Sequence, residues 1–269
     1  MQQFEKDYAE LILKILNHGV DKEGRNGITR SIFGEQLKID MSNGLFPLIQ
    51  GRKMYPKGVL GEFAAMVRKP TCLADFERWG CNYWKDWAKP DGSIEIDYGN
   101  AWFEGGQIDH LKECLANNPN DRRMIINAWR PDRLELLDLP CCHYCYQFYV
   151  ENNRLHMIWI QRSVDTMIGL PSDIILAATW LITLAHEFGM SLGVITMQLG
   201  DCHLYKEHID SLAVADYTRN VLANPLGITK GVDYGYSAPL GTDFCSFGPD
   251  MLALDYSEHY ESIKLELKA

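Results

Sequence analysis

Residues 139–161 read LPCCHYCYQFYVENNRLHMIWIQ, and the fold turns on how this stretch is read. Two runs, 144–150 (YCYQFYV) and 154–161 (RLHMIWIQ), are rich in aromatic and apolar residues, as strands are. The polar link Glu151-Asn152-Asn153 predicts a hairpin turn between them. A third strand is expected at 123–129 (RMIINAW) and a fourth in GVITMQLGD, 193–201. Helical spacing appears elsewhere. Phe4, Tyr8, Leu11, Ile12 and Ile15 mark an amphipathic helix over 3–17. GVLGEFAAMVRK, 58–69, reads as a buried helix, and 107–117 as a helix ended by Asn117, Asn118 and Pro119. The uncharged run 174–185 is too short to span a bilayer and reads as a buried helix starting near Ser172, a suitable N-cap. A further helix is expected at 205–214. GRNGITRSIFGEQLKIDM, 24–41, reads as a loop and then a strand. No repeat or long linker interrupts the pattern, so one α+β domain over 1–269 is the expectation.

The chain is long enough for a sizeable core, at 269 residues and 46% hydrophobic. Its net charge of −10 argues against broad nucleic-acid or membrane binding, since both surfaces are anionic. A local arginine cluster can still hold one phosphate. Residues 1–16 lack the basic-then-apolar pattern of a secretory leader. The eight cysteines are scattered, and a chain this size needs no staples. A cytoplasmic protein with reduced thiols is expected.

Cys142 beside His143 pairs a thiol with an imidazole, the raw material of an activated nucleophile. A small buried hydrophobe on a strand is the plainer alternative. Zinc held by Cys141, Cys142, His143 and Cys145 is disfavoured, because adjacent residues on an extended strand point to opposite faces. Arg162 and Ser163 in QRSVDTMIGLPSDI, 161–174, have the chemistry to grip a phosphate. DRR at 121–123 adds Arg122 and Arg123. His203 and Tyr205 in GDCHLYKEHID, 200–210, are alternate residues and face the same way if that stretch is a strand. Each feature alone is compatible with ordinary surface or core packing.

Together they closely resemble the thymidylate synthase family, in order and spacing, over nearly all the chain. GRNGITRSIFGEQLKID, FPLIQGRK, GVLGEF, NYWKDWA, DYGNAW, DRRMIINAWRP, CHYCYQFYV, QRSVDTMIGLPSDI and GDCHLYKEHID follow in family order. The resemblance implies an α/β domain with a large bent sheet, flanked by helices and packed back to back in a homodimer. It implies that Cys142 adds to carbon 6 of a pyrimidine nucleotide, so that carbon 5 can take a one-carbon unit from 5,10-methylenetetrahydrofolate. Arg25, Arg162 and Ser163 would bind the 5′-phosphate, with Arg122 and Arg123 reaching across the dimer. His203 and Tyr205 would hold the sugar, and Gln161 would contact the substrate. Glu62 and Tyr98 would organise proton transfer and water, with His143 in the water network around the base. Trp84, Asp165, Gly169 and Arg52 would meet the folate, Arg52 or Lys53 at its glutamate tail. No metal is implied.

Three departures bear on the substrate and product. Cys141 stands where the family usually has proline, and no chemical role attaches to it. Asp173 replaces the asparagine that reads uracil. A carboxyl group accepts from the exocyclic amine of cytosine and, when protonated, donates to its nitrogen 3. Aspartate here resembles the bacteriophage deoxycytidylate hydroxymethylases, which implies dCMP as substrate. Ser172 replaces a phenylalanine that normally packs on the folate, and the charged ending LELKA replaces an apolar closing segment. Both favour water reaching the site and a hydroxymethyl product. Trp84, Leu139 and His143 resemble a methyl-transferring enzyme, so 5-methyl-dCMP with dihydrofolate is the alternative. A dUMP-using thymidylate synthase and a non-catalytic nucleotide-binding homologue are further alternatives.

Overall fold

The computed structural model describes residues 1–24 and 26–267. In chain order the elements are α1 (Gln3–His18), β1 (Val20–Gly24), β2 (Gly27–Asp40), β3 (Leu45–Phe46), α2 (Pro56–Met66), α3 (Leu73–Glu77), α4 (Gln107–Asn117), β4 (Ile125–Asn127), β5 (His143–Glu151), β6 (Arg154–Asp165), α5 (Gly169–Glu187), β7 (Ser191–Tyr205), α6 (Lys206–Asp210), α7 (Ala213–Leu222), β8 (Val232–Tyr236) and β9 (Leu252–Asp255). Short 3-10 turns lie between them, including Tyr83–Asp86 and Asn100–Gly106.

Six strands form one sheet in the order β1-β2-β7-β6-β5-β4. Only β6 and β7 run parallel; the other neighbours are antiparallel. Parallel neighbours need a crossover, and α5 supplies it. The expected hairpin is present: Glu151 pairs with Arg154, and Asn152 and Asn153 both take positive φ, 50° and 59°. Asparagine tolerates that left-handed region better than most residues, which is why this two-residue turn closes cleanly. β3, β8 and β9 form a second, three-stranded sheet.

One face of the large sheet carries the core. Along β6, Leu155, Met157, Trp159 and Gln161 are buried, while His156, Ile158 and Ile160 on the other face are half-buried. The central helix α5 packs on that core face. Its Trp180 stacks on Trp102 with ring centroids 4.2 Å apart and lies 4.8 Å from Tyr146. By length and composition α5 would suit a membrane span, but 78% of its apolar window is buried inside the fold.

Several expectations need correction. α5 starts at Gly169, so Ser172 sits in its first turn and is no N-cap; its hydroxyl donates back to the Ile168 carbonyl at 3.2 Å. The side chain that organises this start is Asp165, whose Oδ1 accepts from the Met167 and Ile168 amides. The helix expected over 205–214 is two, α6 and α7, broken at Leu212 with φ 64°. The strand at 123–129 shrinks to Ile125–Asn127, because Arg123 is drawn into a turn by Asp121. The 193–201 strand is longer than expected and runs on to Tyr205. β1, β3, β8 and β9 lie in polar or short segments whose pattern gave no strand signal.

Candidate active site

The site gathers at the start of β5, the ends of β6 and β7, and the first turn of α5. Cys142 lies just before β5, one residue outside the strand. Its carbonyl accepts from the Arg162 amide at 2.9 Å, which ties it to β6. Its own amide donates to the Tyr98 hydroxyl at 2.6 Å. Arg162 closes the other side. Its Nε donates to the Cys141 carbonyl at 2.8 Å and its Nη2 to the Pro140 carbonyl at 3.1 Å. The same Nη2 is 3.9 Å from Cys142 Sγ, which places a positive charge beside the sulfur.

From Cys142 the contacts run inward as a chain. The Tyr98 ring meets His143 edge-on at 4.8 Å and Trp84 at 5.7 Å. His143 is 3% exposed, and burial pushes its pKa down to about 3, so the ring is neutral at ordinary pH. Its Nδ1 is 2.5 Å from the Tyr146 hydroxyl, and its Nε2 is 3.9 Å from Asp173 Oδ1. Gln161 Nε2 donates to Asp173 Oδ2 at 2.6 Å. Burial drives the Asp173 carboxyl well above the usual carboxylate range, only partly offset by that hydrogen bond. Burial thus favours the neutral form of Asp173 more than it would for a surface carboxyl.

Glu62 sits on α2 and is 7% exposed. Trp84 Nε1 donates to its Oε1 at 2.8 Å and the Tyr83 hydroxyl to its Oε2 at 2.5 Å. Burial raises the Glu62 pKa to about 7, against those two hydrogen bonds, which hold it down. A carboxyl that titrates near neutrality is suited to taking and returning a proton at working pH.

His203 and Tyr205 project from the end of β7 on the same side, with rings 5.4 Å apart. Both follow Gly200, where a Cβ would meet the Arg162 carbonyl at 2.4 Å, so only glycine lets the two strands approach here. Ser163 is paired in register with Asp201, and Asp165 with His203. Arg52 is buried, not displayed at the surface; its Nη2 donates to the Met167 carbonyl at 2.6 Å, next to Asp165 and Gly169. Its Nε is buried with no hydrogen-bond partner. A guanidinium held at the start of α5 by Met167, two residues along the chain from both Asp165 and Gly169, has the charge and donors that an anionic ligand such as folate calls for.

The structure thus brings Glu62, Trp84, Tyr98, Cys142, His143, Gln161, Arg162 and Asp173 into one connected cluster, with His203 and Tyr205 on the adjoining strand. Arg122 and Arg123 lie apart from it. Both are exposed, and Arg123 makes a bidentate pair with Asp121, at 2.9 and 2.6 Å. Arg25 lies outside the described residues. Tyr83 and Tyr146 were missed in the sequence. Tyr83 had a signal, since it adjoins Trp84 in NYWKDWA; Tyr146 alternates with Phe148 on the core face of β5 and reads as packing.

A cysteine just ahead of β5 with an arginine beside its sulfur, joined through Tyr98 and Trp84 to a buried glutamate that titrates near neutrality, has the make-up of an enzyme site. The thymidylate synthase family model matches residues 6–266, and the chain belongs to that family. The family's chemistry is folate-dependent one-carbon transfer to a pyrimidine nucleotide.

Proposed function

We propose that this protein transfers a one-carbon unit from 5,10-methylenetetrahydrofolate to carbon 5 of dCMP and releases 5-hydroxymethyl-dCMP. The observation that carries the base assignment is the Asp173–Gln161 pair. A neutral carboxyl has one donor and one acceptor and by itself fits uracil as well as cytosine. Gln161 Nε2 at 2.6 Å favours an acceptor at Oδ2 and so puts the proton on Oδ1. Oδ2 keeps a second lone pair for the exocyclic amine, and Oδ1–H points its proton at nitrogen 3. Uracil would set N3–H against O–H, two donors face to face.

In this reading Cys142 Sγ adds to carbon 6, and electron density leaves toward nitrogen 3, where Asp173 donates. Arg162 and Ser163 hold the phosphate, His203 and Tyr205 the sugar. Tyr98 fixes the Cys142 backbone, and Glu62 handles protons. The folate supplies the one-carbon unit; Trp84, Asp165, Gly169 and Arg52 would hold it. Residues 1–269 form one catalytic domain, supported by a single hydrophobic cluster that joins Phe4 to Leu252. The half-buried face with Ile158 and Ile160 supports a back-to-back dimer, with Arg122 and Arg123 crossing to the partner site. The half-buried polar Ser172 at the folate side supports water over hydride as the final acceptor's attacker. Incubation with dCMP and methylenetetrahydrofolate tests this. The expected product is heavier than dCMP by CH2O, with no dihydrofolate absorbance; methyl-dCMP with stoichiometric dihydrofolate would overturn the product assignment.

A further inference from the structure

Why does one carboxylate receive two fixed donors from consecutive residues? Gly61 precedes Glu62, and a Cβ there would lie 2.2 Å from the Trp79 carbonyl. The glycine lets the 79–81 backbone lie flat on α2. The 3-10 turn Tyr83–Asp86 follows at once and delivers two adjacent aromatic side chains to the two oxygens of Glu62. The donors are not equivalent. An indole N–H only donates, whereas a phenol oxygen also accepts. The Tyr83 hydroxyl gives its proton to Glu62 Oε2, and its oxygen keeps lone pairs that can accept from a further donor.

We infer that Tyr83 is a positioning residue that orients Glu62 and completes the seat of the water that attacks the exocyclic carbon. The inference rests on the hydroxymethyl reading above. The water donates one O–H to the Tyr83 oxygen and the other to Glu62. In the reacting state the one-carbon unit is an exocyclic methylene on carbon 5, with Cys142 still bonded to carbon 6. The water oxygen bonds to the methylene carbon, and one of its protons passes to Glu62. The methylene π electrons move into the ring and then expel Cys142 as thiolate, as the carbon 5–carbon 6 double bond reforms. One water is consumed, its second hydrogen stays as the new hydroxyl proton, and no oxidant or reductant is needed. Trp84 alone would fix Glu62 but offer the water no second contact.

The test is Tyr83→Phe, which keeps the ring. The readouts are kcat for hydroxymethyl-dCMP formation and the pH profile of kcat/KM, with products identified by mass. Losing one hydrogen bond to a charged group is expected to lower that kcat about tenfold or more. It should also move the acidic limb of the profile upward by about one pH unit, because Tyr83 holds the Glu62 pKa down. A wild type that makes hydroxymethyl-dCMP, with kcat and limb both unmoved in the variant, overturns this inference alone. A wild type that makes only the methyl product overturns the product reading and, with it, the water seat.

Discussion

Asp173→Asn is the most informative single substitution. In the wild type the protonated carboxyl offers cytosine one acceptor and one donor, with the acceptor pinned by Gln161 at 2.6 Å. Asparagine has the same shape. Its carbonyl and amide match uracil, whose oxygen 4 accepts and whose nitrogen 3 donates. Reading uracil puts that NH2 at the Oδ2 position, and Gln161 then turns its amide to present Oε1, an oxygen without a hydrogen-bond partner in the wild type. The variant amide can face either way, whereas in the wild type two mismatched buried contacts separate uracil from cytosine. A buried group left unsatisfied costs about 1–3 kcal/mol. Two such groups give about 2–6 kcal/mol, or roughly 30-fold to 20,000-fold in relative kcat/KM, the range expected of a site that reads polar groups. The assay is competition between dCMP and dUMP at equal concentration, with products identified by mass. The wild type should favour dCMP by that factor, and the variant should lose that preference and turn toward dUMP. Wild-type and variant ratios within threefold of each other would refute the claim that residue 173 reads the base.

Three further outcomes follow from the same geometry. Tyr98→Phe removes the acceptor for the Cys142 amide, at 2.6 Å, and should lower kcat/KM about 10- to 100-fold while the chain stays folded; steady-state kinetics with circular dichroism checks it. Mixing Cys142→Ser with Arg123→Ala protomers should restore one working site per mixed dimer if Arg123 crosses to the partner; activity no higher than either parent would exclude the crossing. The third outcome concerns Glu5, fully buried on α1, which accepts from the Gln50 and Gly51 amides at 2.7 Å and from the Tyr217 hydroxyl at 3.1 Å. Burial nevertheless raises its pKa to about 7. A raised carboxyl costs nothing below its unfolded pKa, and its penalty grows as pH rises from there to about 7. Glu5→Gln should therefore gain about 3 kcal/mol on the wild type between pH 4 and pH 8, as measured by chemical denaturation; a constant difference across that range would contradict the assignment.

Legibility in the sequence tracked physical cause. The hairpin of β5 and β6 was readable because each strand alternates and Asn152-Asn153 suits a left-handed turn. α1 was readable because one face of it alone is apolar. β1, with every residue exposed, and the two-residue β3 offer no alternation to read. The start of α5 was misplaced because Ser172 looked like a cap, whereas Asp165 organises the turn from four residues before the helix. In the site, Cys142, Glu62, Asp173 and Arg162 stood out by residue type within a family pattern. Tyr83 did not, because its role exists only once Gly61 lets the 79–84 segment lie against α2. Arg52 stood out as a charge for the folate, but its hydrogen bond to the Met167 carbonyl joins residues 115 apart, a contact no sequence pattern signals.

The central claim is that this family member acts on cytosine and lets water finish the reaction. One incubation tests it most directly: the pure protein, methylenetetrahydrofolate and an equimolar mixture of dCMP and dUMP, with products resolved by mass and dihydrofolate followed by absorbance. The account predicts hydroxymethyl-dCMP, dUMP left unreacted and no dihydrofolate. Thymidylate formed with stoichiometric dihydrofolate while dCMP stays untouched would contradict it.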